Sequence, residues 1–539
     1  MPTSLTRRSV LGAGLALGAA GPLAACSPAP APPTTPPSAR AELLPAYRRF
    51  DGVTADIAGT GDGVPDAFLA YPGSPRAVIA DKPASTPIRF LCANDGVTPP
   101  PMTQNTFWQG LNERLGTTLS VETVPGTDYD TKLSAVLAGG DLPDVVQLNL
   151  NIPRLSELLP KRFVDLSSHL SGAAVDEYPM LANLPTIAWQ NVTINGGLYG
   201  VPYPSVLPDS LLFARADIAE KLGVSLEPKS AEEFVEMCTA LTDESERRWA
   251  LGSGVLVLKW VLEMFGAPNQ WRIETDGRFT RMWETPEYRQ AVEFTADLYR
   301  RGLFHPNSFL PAAGTGGFFN SGQLLVMSAG IMWWPNFYRD AADVPGFRVA
   351  PIMAPRHDGS GRARKYLLNG MYTFAGIRAG SSPDRIREIL RVQNYLAAPF
   401  GSAEHLYRTY GQEGVHHTRV DGNPVLTAKG QAEVTPLTIR FMSGSPTVIF
   451  TAGRDEETKL NHQLQQELIA DGLPLPTVGL ISSSQTSKGS SLDRAVNDVV
   501  ADIIQGRRTI DTLDQQAKKW RSDGGDKIAE EYQAAKASR

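Results

Sequence analysis

Three short apolar segments between residues 88 and 148 alternate with two stretches of helical pattern. The apolar segments are Ile88–Ala93, Thr118–Val124 and Asp144–Leu148, and the helical patterns lie around 107–115 and 129–138. Strands that alternate with helices are typical of a largely parallel sheet covered by helices. The sequence therefore predicts an α/β architecture. Because the chain has 539 residues, we expect two domains or more.

A second, helix-rich block follows residue 208. Ser230 and Glu233 have the spacing of a capping box, in which each side chain satisfies a backbone N–H of the first helical turn. The pairs Thr285-Pro286 and Ser382-Pro383 each predict a helix start, since proline suits the first turn. Two closing helices are predicted at about 492–505 and 526–535.

Residues 1–25 have the features of an export signal. Arg7 and Arg8 precede an apolar run from Val10 to Ala20, which is shorter than the roughly 20 residues that cross a membrane. The arginine pair resembles a twin-arginine signal, and Leu23-Ala24-Ala25-Cys26 resembles a bacterial lipobox. The resemblance implies cleavage before Cys26 and a lipid anchor on its sulfur.

The next two segments are not expected to build a core. Residues 26–40 are rich in proline and predict an extended linker, and residues 41–85 predict a turn-rich N-terminal wrap. Asp56, Asp62 and Asp66 lie in that wrap and suggest calcium, but Ala58 and Gly61 interrupt the alternate oxygen ligands of an EF-hand. A wrap held by tight turns is the other interpretation.

Charge and cysteine content limit the partners. The formal net charge of −6 becomes −8 when Arg7 and Arg8 leave with the signal, and no basic patch stands out, so we expect no nucleic-acid partner. Export would permit a disulfide between Cys92 and Cys238. Both lie on apolar patterns, however, which favours two buried thiols.

The sequence contains none of the common catalytic motifs. There is no G-x-S-x-G elbow, phosphate-binding loop, H-E-x-x-H helix or C-x-x-C pair. Glu413, His416 and His417 could contribute to a metal site, but no further ligand is evident nearby, and we expect no metal or cofactor. Paired carboxylates for glycan cleavage have no fixed sequence spacing, so a lipid-anchored glycan hydrolase or lyase stays an alternative.

Four stretches, in order, resemble the extracellular solute-binding proteins of bacterial carbohydrate ABC transporters. The last of them is the most specific and resembles the lipoprotein-O-like branch. The resemblance extends from about Ile88 to the C-terminus, and its four stretches are GGDLPDVV (139–146), NGGLYGVPY (195–203), FNSGQLLVM (319–327) and YGQEGVHH (410–417).

The resemblance implies a two-lobed, periplasmic-binding-protein-like (class II) fold with hinge strands and a ligand cleft between the lobes. It assigns residues 86–205 and 371–470 to lobe 1 and residues 206–370 and 471–539 to lobe 2, with crossings near 199–206 and 365–374. It also implies a monomer that is lipid-anchored on the extracytoplasmic side of the cell membrane. This monomer would catalyse no reaction and would deliver a sugar or oligosaccharide to ABC permease subunits. A surface sensor or adhesion module with the same fold is the non-transport alternative.

Candidate ligand-binding residues follow from sugar chemistry. Aromatic faces cover the C–H face of a sugar ring, and polar side chains bind its hydroxyls. Asn94 and Asp95 follow the first strand, at the end where α/β sheets bind ligands. Trp333 and Trp334 would point in opposite directions on an extended segment, one toward the cleft and one into the core. The expected set is Tyr203, Trp333, Trp334, Asn94, Asp95, Trp108, Trp260, Trp271 and Asn336.

Overall fold

The computed structural model describes residues 43–60, 63–94, 97–309 and 315–537. The predicted export signal, Cys26 and the whole proline-rich linker lie outside the described residues, as do Asp62 and Asp95. None of the helices within the described ranges combines the length and apolar character needed to cross a bilayer.

The strands are short and fall into several sheets. They are β1 (Ala67–Phe68), β2 (Ile88–Asn94), β3 (Leu119–Pro125), β4 (Val145–Leu148), β5 (Thr193–Ile194), β6 (Gly197–Leu198), β7 (Val201–Pro204), β8 (Leu211–Arg215), β9 (Trp249–Leu251), β10 (Trp271–Ile273), β11 (Phe279–Arg281), β12 (Leu324–Ala329), β13 (Val349–Ile352), β14 (Met371–Ile377), β15 (His417–Val420), β16 (Asn423–Leu426) and β17 (Ile449–Phe450).

The first sheet has five strands in the order β3-β2-β4-β14-β7. Strand β2 runs parallel to β3 and β4, whereas β14 runs antiparallel to β4 and β7. Strands β2, β3 and β4 overlap the three predicted strands, which confirms that part of the prediction. Every residue of β4 is buried, as expected for a strand with helices on both faces.

A helix is present at each of the positions predicted from the sequence, and further helices lie between them. Their bounds are Thr106–Leu115, Gly126–Gly139, Leu155–Arg162, Ser167–Leu170, Pro179–Ala182, Thr186–Val192, Ala216–Lys221, Ala231–Leu241, Gly254–Met264, Pro286–Arg300, Thr315–Asn320, Trp334–Asp340, Pro383–Leu396, Ala403–Tyr410, Ala428–Glu433, Asp455–Ala470, Ser490–Ile504, Asp511–Trp520 and Asp526–Ala537.

Side chains of Ser230, Thr285 and Ser382 cap the helices that they were predicted to start. Each accepts the backbone N–H three residues further along the chain, which satisfies a donor that the first helical turn leaves open. The predicted capping box differs in one detail. Glu233 Oε2 accepts the N–H of Lys229 at 2.8 Å rather than that of Ser230.

The motif at 195–203 leads the chain into β7. Asn195 and Gly196 join β5 and β6 with φ values of 50° and 78°, the conformation that Asn-Gly turns favour in tight hairpins. A Cβ at Gly200 would lie 2.7 Å from the carbonyl oxygen of Ala375. Glycine at this position therefore allows the close approach of the segment to β14.

The second sheet has the order β13-β8-β12-β9, and only the β12–β9 pair is parallel. Each sheet has its own main hydrophobic cluster. Cys92 belongs to the first cluster and Cys238 to the second, and both are buried and outside any disulfide of the described residues. The prediction of two buried thiols rather than a disulfide between them is confirmed.

Segments 205–210, 365–370 and 471–475, here called the hinge segments, pair with one another where the chain passes between the two sheets. Leu368 donates its N–H to the carbonyl oxygen of Leu207 at 2.6 Å. Leu367 in turn donates to the carbonyl oxygen of Leu473 at 2.9 Å. Segment 205–210 directly follows β7, and segment 365–370 directly precedes β14. These two segments therefore connect the second sheet to neighbouring strands of the first.

Buried polar side chains hold the hinge segments together. The Asn269 amide nitrogen donates to the carbonyl oxygens of Leu367 and Leu473, both at 2.9 Å. Lys365 Nζ lies 2.8 Å from Glu263 Oε1, and both side chains are only 3% exposed. Removing one member of such a pair would leave a buried charge without compensation.

The helix Asp455–Ala470 packs beside residues of the second sheet. Its Leu464 and Leu468 share a cluster with Phe213 of β8 and with Trp334. This helix was expected to belong to lobe 1, because the predicted boundary fell at residue 470. The spacing of apolar residues in this helix indicates that one face is buried, but it does not indicate which sheet covers that face.

The N-terminal wrap packs through aromatic side chains and short polar contacts. Phe68 and Tyr71 lie against Phe400, with ring centroids 4.5 and 4.7 Å apart. Asp66 Oδ1 accepts hydrogen bonds from Arg49 Nη2 at 2.8 Å and from the backbone N–H of Gly59 at 2.7 Å. Among the described residues, no group of three His, Cys, Asp or Glu side chains is placed to hold a metal ion.

Candidate functional site

One edge of the first sheet brings together ends of four strands. Because β2 and β4 run parallel and β14 runs antiparallel to β4 and β7, the ends of β2, β4 and β7 meet the start of β14. Asn94, Asn149, Tyr203 and Tyr372 lie at or next to this edge. The carboxyl ends of strands in open α/β sheets are where ligands bind.

Tyr203, Tyr372 and Phe441 form an aromatic cluster at this edge. The rings of Tyr372 and Phe441 are stacked, with centroids 5.9 Å apart, and Tyr203 meets both edge-on at 6.1 and 5.9 Å. The Tyr372 side chain is 63% exposed. A Cβ at Gly444 would lie 2.3 Å from the Tyr203 ring, so glycine is required behind it. Tyr203 is one of the residues predicted from the sequence, whereas Tyr372 is not, although it lies within the predicted second crossing.

A cavity of about 310 Å³, the amide cavity, lies beside Tyr372. Residues packed on both sheets line it, with Asn149, Asn151 and Asn369 on the side of the first. Gln270 and Trp271 come from the region packed with the second sheet. Carboxamides both donate and accept hydrogen bonds, which suits a ligand rich in hydroxyl groups. None of the asparagines named here was predicted, because amide side chains are common in loops.

Tyr203 lines a second cavity of about 310 Å³, the arginine cavity. Arg408 and Arg440 line it together with the hydroxyl side chains of Ser445 and Thr447. Arg408 Nη2 donates to Ser445 Oγ at 3.0 Å. Burial lowers the pKa of the Arg408 guanidinium, and the positive charge of Arg440 acts in the same direction.

Trp333 and Trp334 differ in exposure as predicted, but for another reason. Trp333 is 47% exposed and Trp334 only 2%, with the Trp334 ring 5.3 Å from that of Phe213. The segment is not extended: a 3₁₀ turn over Ile331–Trp333 runs directly into the helix Trp334–Asp340. Side chains of adjacent helical residues diverge by about 100°, which separates the two rings. Asn336, on the same helix, is partly exposed.

The other predicted residues lie in the protein interior. Trp260 packs against Phe234 and donates its indole N–H to the carbonyl oxygen of Ile352 at 3.3 Å. Trp108 donates to the carbonyl oxygen of Leu119 at 2.7 Å. In this conformation neither ring has a face open to a ligand. Trp271 is also buried, yet one of its sides lines the amide cavity.

Asn94 lies at the predicted edge of the sheet but is only 3% exposed, and Asp95 is outside the described residues. The turn Ile439–Phe441 lies against β2, because Thr438 Oγ1 donates to the carbonyl oxygen of Ala93 at 2.7 Å. The strand end is therefore covered by the segment that carries Arg440 and Phe441.

The Glu413–His417 motif makes protein contacts. His416 Nδ1 accepts the backbone N–H of Gln412 at 3.0 Å, and its Nε2 lies 3.2 Å from Glu433 Oε2. Thr106 donates its hydroxyl and its N–H to the same Glu433 oxygen. Burial alone would raise the pKa of Glu433, but these hydrogen bonds and Lys429 lower it to about 2. The motif thus ties the start of the helix Thr106–Leu115 to the chain that follows residue 410.

Comparison with known proteins shows what this chain is similar to. Two relatives from Bacillus subtilis (strain 168) are each 22% identical. The polygalacturonan/rhamnogalacturonan-binding protein YtcQ aligns over 449 residues, 79% of this chain and 86% of YtcQ. The lipoprotein LipO aligns over 466 residues, 79% of this chain and 89% of LipO.

Solved structures show the same fold. The crystal structure of the alginate-binding protein AlgQ2 without calcium ion matches with a TM-score of 0.61 at 17% identity, over 85% of this chain and 98% of that chain. The fold is that of the two-lobed solute-binding proteins, as predicted. The family model described as bacterial extracellular solute-binding protein matches residues 109–385, more than half of the sequence. The chain therefore belongs to the family of bacterial extracellular solute-binding proteins.

Proposed function

We propose that this chain is the substrate-binding subunit of an ABC importer and holds a sugar or oligosaccharide between its two lobes. The observation that carries the proposal is the aromatic cluster of Tyr203, Tyr372 and Phe441, which lies next to the amide cavity in a solute-binding chain. Ring faces cover the C–H face of a sugar, and carboxamides bind its hydroxyls. YtcQ and AlgQ2 are both named as polysaccharide-binding proteins.

The proposed lobes follow the sheets. Lobe 1 comprises 86–205 and the chain from 371 to about 450, and lobe 2 comprises 206–370 and 471–539. The helix Asp455–Ala470, whose leucines pack beside Phe213, is joined to lobe 2. Trp333 follows β12 of the second sheet and is exposed. It is the proposed aromatic contact from lobe 2, facing the Tyr203–Tyr372 edge across the cleft.

A binding role without chemistry is favoured over a glycan hydrolase or lyase. Glycoside hydrolysis usually needs two carboxyl groups that flank the bond to be cleaved. The described residues that line the amide and arginine cavities include no aspartate and no glutamate. The polar groups available there are amides, hydroxyls, guanidinium groups and one histidine, which bind and orient a ligand.

Calorimetric titration of the chain without its signal tests the binding role. Neutral and acidic oligosaccharides of two to six sugar units are titrated, and each mixture is then analysed by chromatography. We expect saturable binding of at least one class and an unchanged ligand after incubation. Cleaved product would overturn the proposal in favour of a hydrolase or lyase, and a lack of binding across both classes would contradict sugar transport.

The proposed location is the outer face of the cell membrane, with a lipid on Cys26 and the proline-rich linker between anchor and domain. The lipobox-like string at 23–26 and the relative LipO support it. Cys26→Ser should release the protein into the soluble fraction, whereas a serine substitution at the distant Cys92 should not. Retention of the Cys26→Ser protein in the membrane fraction would overturn the anchor.

A further inference from the structure

The arginine cavity contains the guanidinium group of Arg408, which forms no ion pair with any carboxylate of the described residues. Arg408 and Arg440 both line it, and its other polar side chains among the described residues are Tyr203, His405, Thr409, Ser445 and Thr447. None of the described residues in this lining is an aspartate or a glutamate. The charges of the two guanidinium groups act on each other, since Arg440 helps to lower the pKa of Arg408.

Arg408 differs from the other enclosed arginines of the chain. Arg215 and Arg281 are each about 5% exposed, and each forms an ion pair of 2.8 Å with an aspartate, Asp217 or Asp493. Within the described residues, the Arg408 guanidinium forms one hydrogen bond, to the neutral hydroxyl of Ser445, and its buried Nε has no hydrogen-bond partner. Uncompensated charge in such surroundings is costly for a protein to maintain.

The position of this charge relates it to the proposed binding edge. Tyr203 lines the arginine cavity and also belongs to the aromatic cluster with Tyr372. The Arg440 guanidinium carbon lies 4.7 Å from the centre of the Phe441 ring, within the same cluster. A ligand whose ring lies on these aromatic side chains would therefore have its substituents within the field of the two arginines.

We propose that the ligand is an acidic oligosaccharide, in which a sugar-ring carboxylate pairs with Arg408 in the arginine cavity. A guanidinium binds a carboxylate through two parallel N–H···O bonds, and the pair would satisfy the free Nε while balancing the charge. The hydroxyls of Ser445 and Thr447 complete a lining that suits one oxyanion. This inference rests on the proposed sugar-binding function and specifies the ligand's charge.

The test compares an oligogalacturonate with a neutral galactose oligomer of the same length by calorimetric titration. Three variants are measured beside the parent: Arg408→Gln, Arg408→Lys and the control Arg494→Gln. Arg494 is exposed on the helix Ser490–Ile504, so its substitution removes the same charge elsewhere. Thermal melting of each unliganded variant establishes that it is folded.

We expect the acidic oligomer to bind the parent and the Arg494→Gln control alike. Arg408→Gln should weaken that binding roughly 30-fold or more, the effect of removing one partner from an enclosed charge pair. Arg408→Lys should recover part of the loss. Any binding of the neutral oligomer should be the same in all four proteins.

Each adverse result has a separate meaning. If the neutral oligomer binds the parent as tightly as the acidic one, or if folded Arg408→Gln binds the acidic one unchanged, the inference is wrong and the sugar-binding function stands. If free galacturonate and acetate bind at Arg408 as tightly as the oligomer, the cavity is a general carboxylate site and the oligosaccharide assignment is wrong. If no sugar of either class binds the parent, the proposed function itself fails.

Discussion

Trp333 and Trp334 are neighbours in the chain but lie in different surroundings. Trp333→Ala should weaken oligosaccharide binding by about 1–3 kcal/mol, because an exposed aromatic anchor is lost, and should leave thermal stability almost unchanged. Trp334→Ala should lower the free energy of unfolding by about 3–5 kcal/mol, because it leaves a cavity beside Phe213. Calorimetric titration and denaturant unfolding of both variants measure the two effects separately.

Each tryptophan variant is the control for the other. The proposed contact from lobe 2 would be wrong if Trp333→Ala bound a ligand of the parent protein with unchanged affinity. If Trp334→Ala lost affinity without losing stability, the ring that contacts the ligand would be that of Trp334 and not that of Trp333.

The sequence does not distinguish exposed from buried tryptophans. Trp108 and Trp260 were expected at the ligand, yet both are buried and donate their indole N–H groups to backbone carbonyls. A tryptophan that lines a cleft and one that fills a core occur in the same local patterns, so spacing does not separate them. Arg408 was not predicted because an arginine within a helix is normally exposed, and only the fold shows that no carboxylate of the described residues lines its cavity.

Glu433 provides a test at low pH. Its pKa is lowered to about 2 in the folded protein from an ordinary value of 4.5, so the folded state favours the charged form. The resulting stability is fully present above about pH 4.5 and is lost as the pH falls from there toward 2. It amounts to on the order of 3 kcal/mol.

Glu433→Gln should therefore be less stable than the parent at pH 7, and the difference should shrink as the pH falls below 4.5. Urea unfolding at several pH values measures it. Glu236, exposed on the helix Ala231–Leu241, supplies the matched control Glu236→Gln, which should follow the parent throughout. A Glu433→Gln difference that stays constant down to pH 3 would contradict the lowered pKa.

At the level of strands and helices, the sequence predicted the first sheet better than the second. Strands β2 and β4 are buried apolar runs between clear helical patterns. Buried parallel strands can be predicted from such continuous apolar runs. Strands β8, β9 and β13 have three to five residues and no clear alternation, so they were not predicted. Their partners are distant in sequence, and pairing of that kind is decided by packing rather than by local pattern.

The hinge segments are stabilised by one amide that contacts two of them. Asn269→Ala should leave the carbonyl oxygens of Leu367 and Leu473 with one donor fewer and should cost about 1–3 kcal/mol. Hydrogen exchange of the amides of Leu367, Leu368 and Leu473 should accelerate more than exchange elsewhere in either sheet, because the loss is local.

Asn497→Ala is the matched control for this hinge substitution. Asn497 is exposed on the helix Ser490–Ile504, so the same change there should leave exchange at the hinge unaltered. If the hinge amides of Asn269→Ala exchanged at the rate of the parent protein, the amide would contribute nothing to holding the segments together.

The two sheets together predict a ligand-dependent change in the shape of the protein. Aromatic and polar groups lie at the edge of the first sheet, and Trp333 follows a strand of the second. A ligand that contacts both binds the closed arrangement more tightly than the open one and shifts the population toward it. Closure about hinge segments is a known transition of two-lobed binding proteins. Small-angle scattering should then show a smaller radius of gyration at saturating ligand.

The Trp333→Ala variant distinguishes closure from simple occupancy of one lobe. At a ligand concentration that saturates this variant, lobe 1 is filled but the contact from lobe 2 is absent, so the radius of gyration should fall less than in the parent. Because ligand can shift the equilibrium only by its difference in affinity for the two states, a ligand held by lobe 1 alone would bind without any change in scattering. An unchanged radius for the saturated parent would therefore restrict the binding site to the Tyr203–Tyr372 edge and remove Trp333 from it.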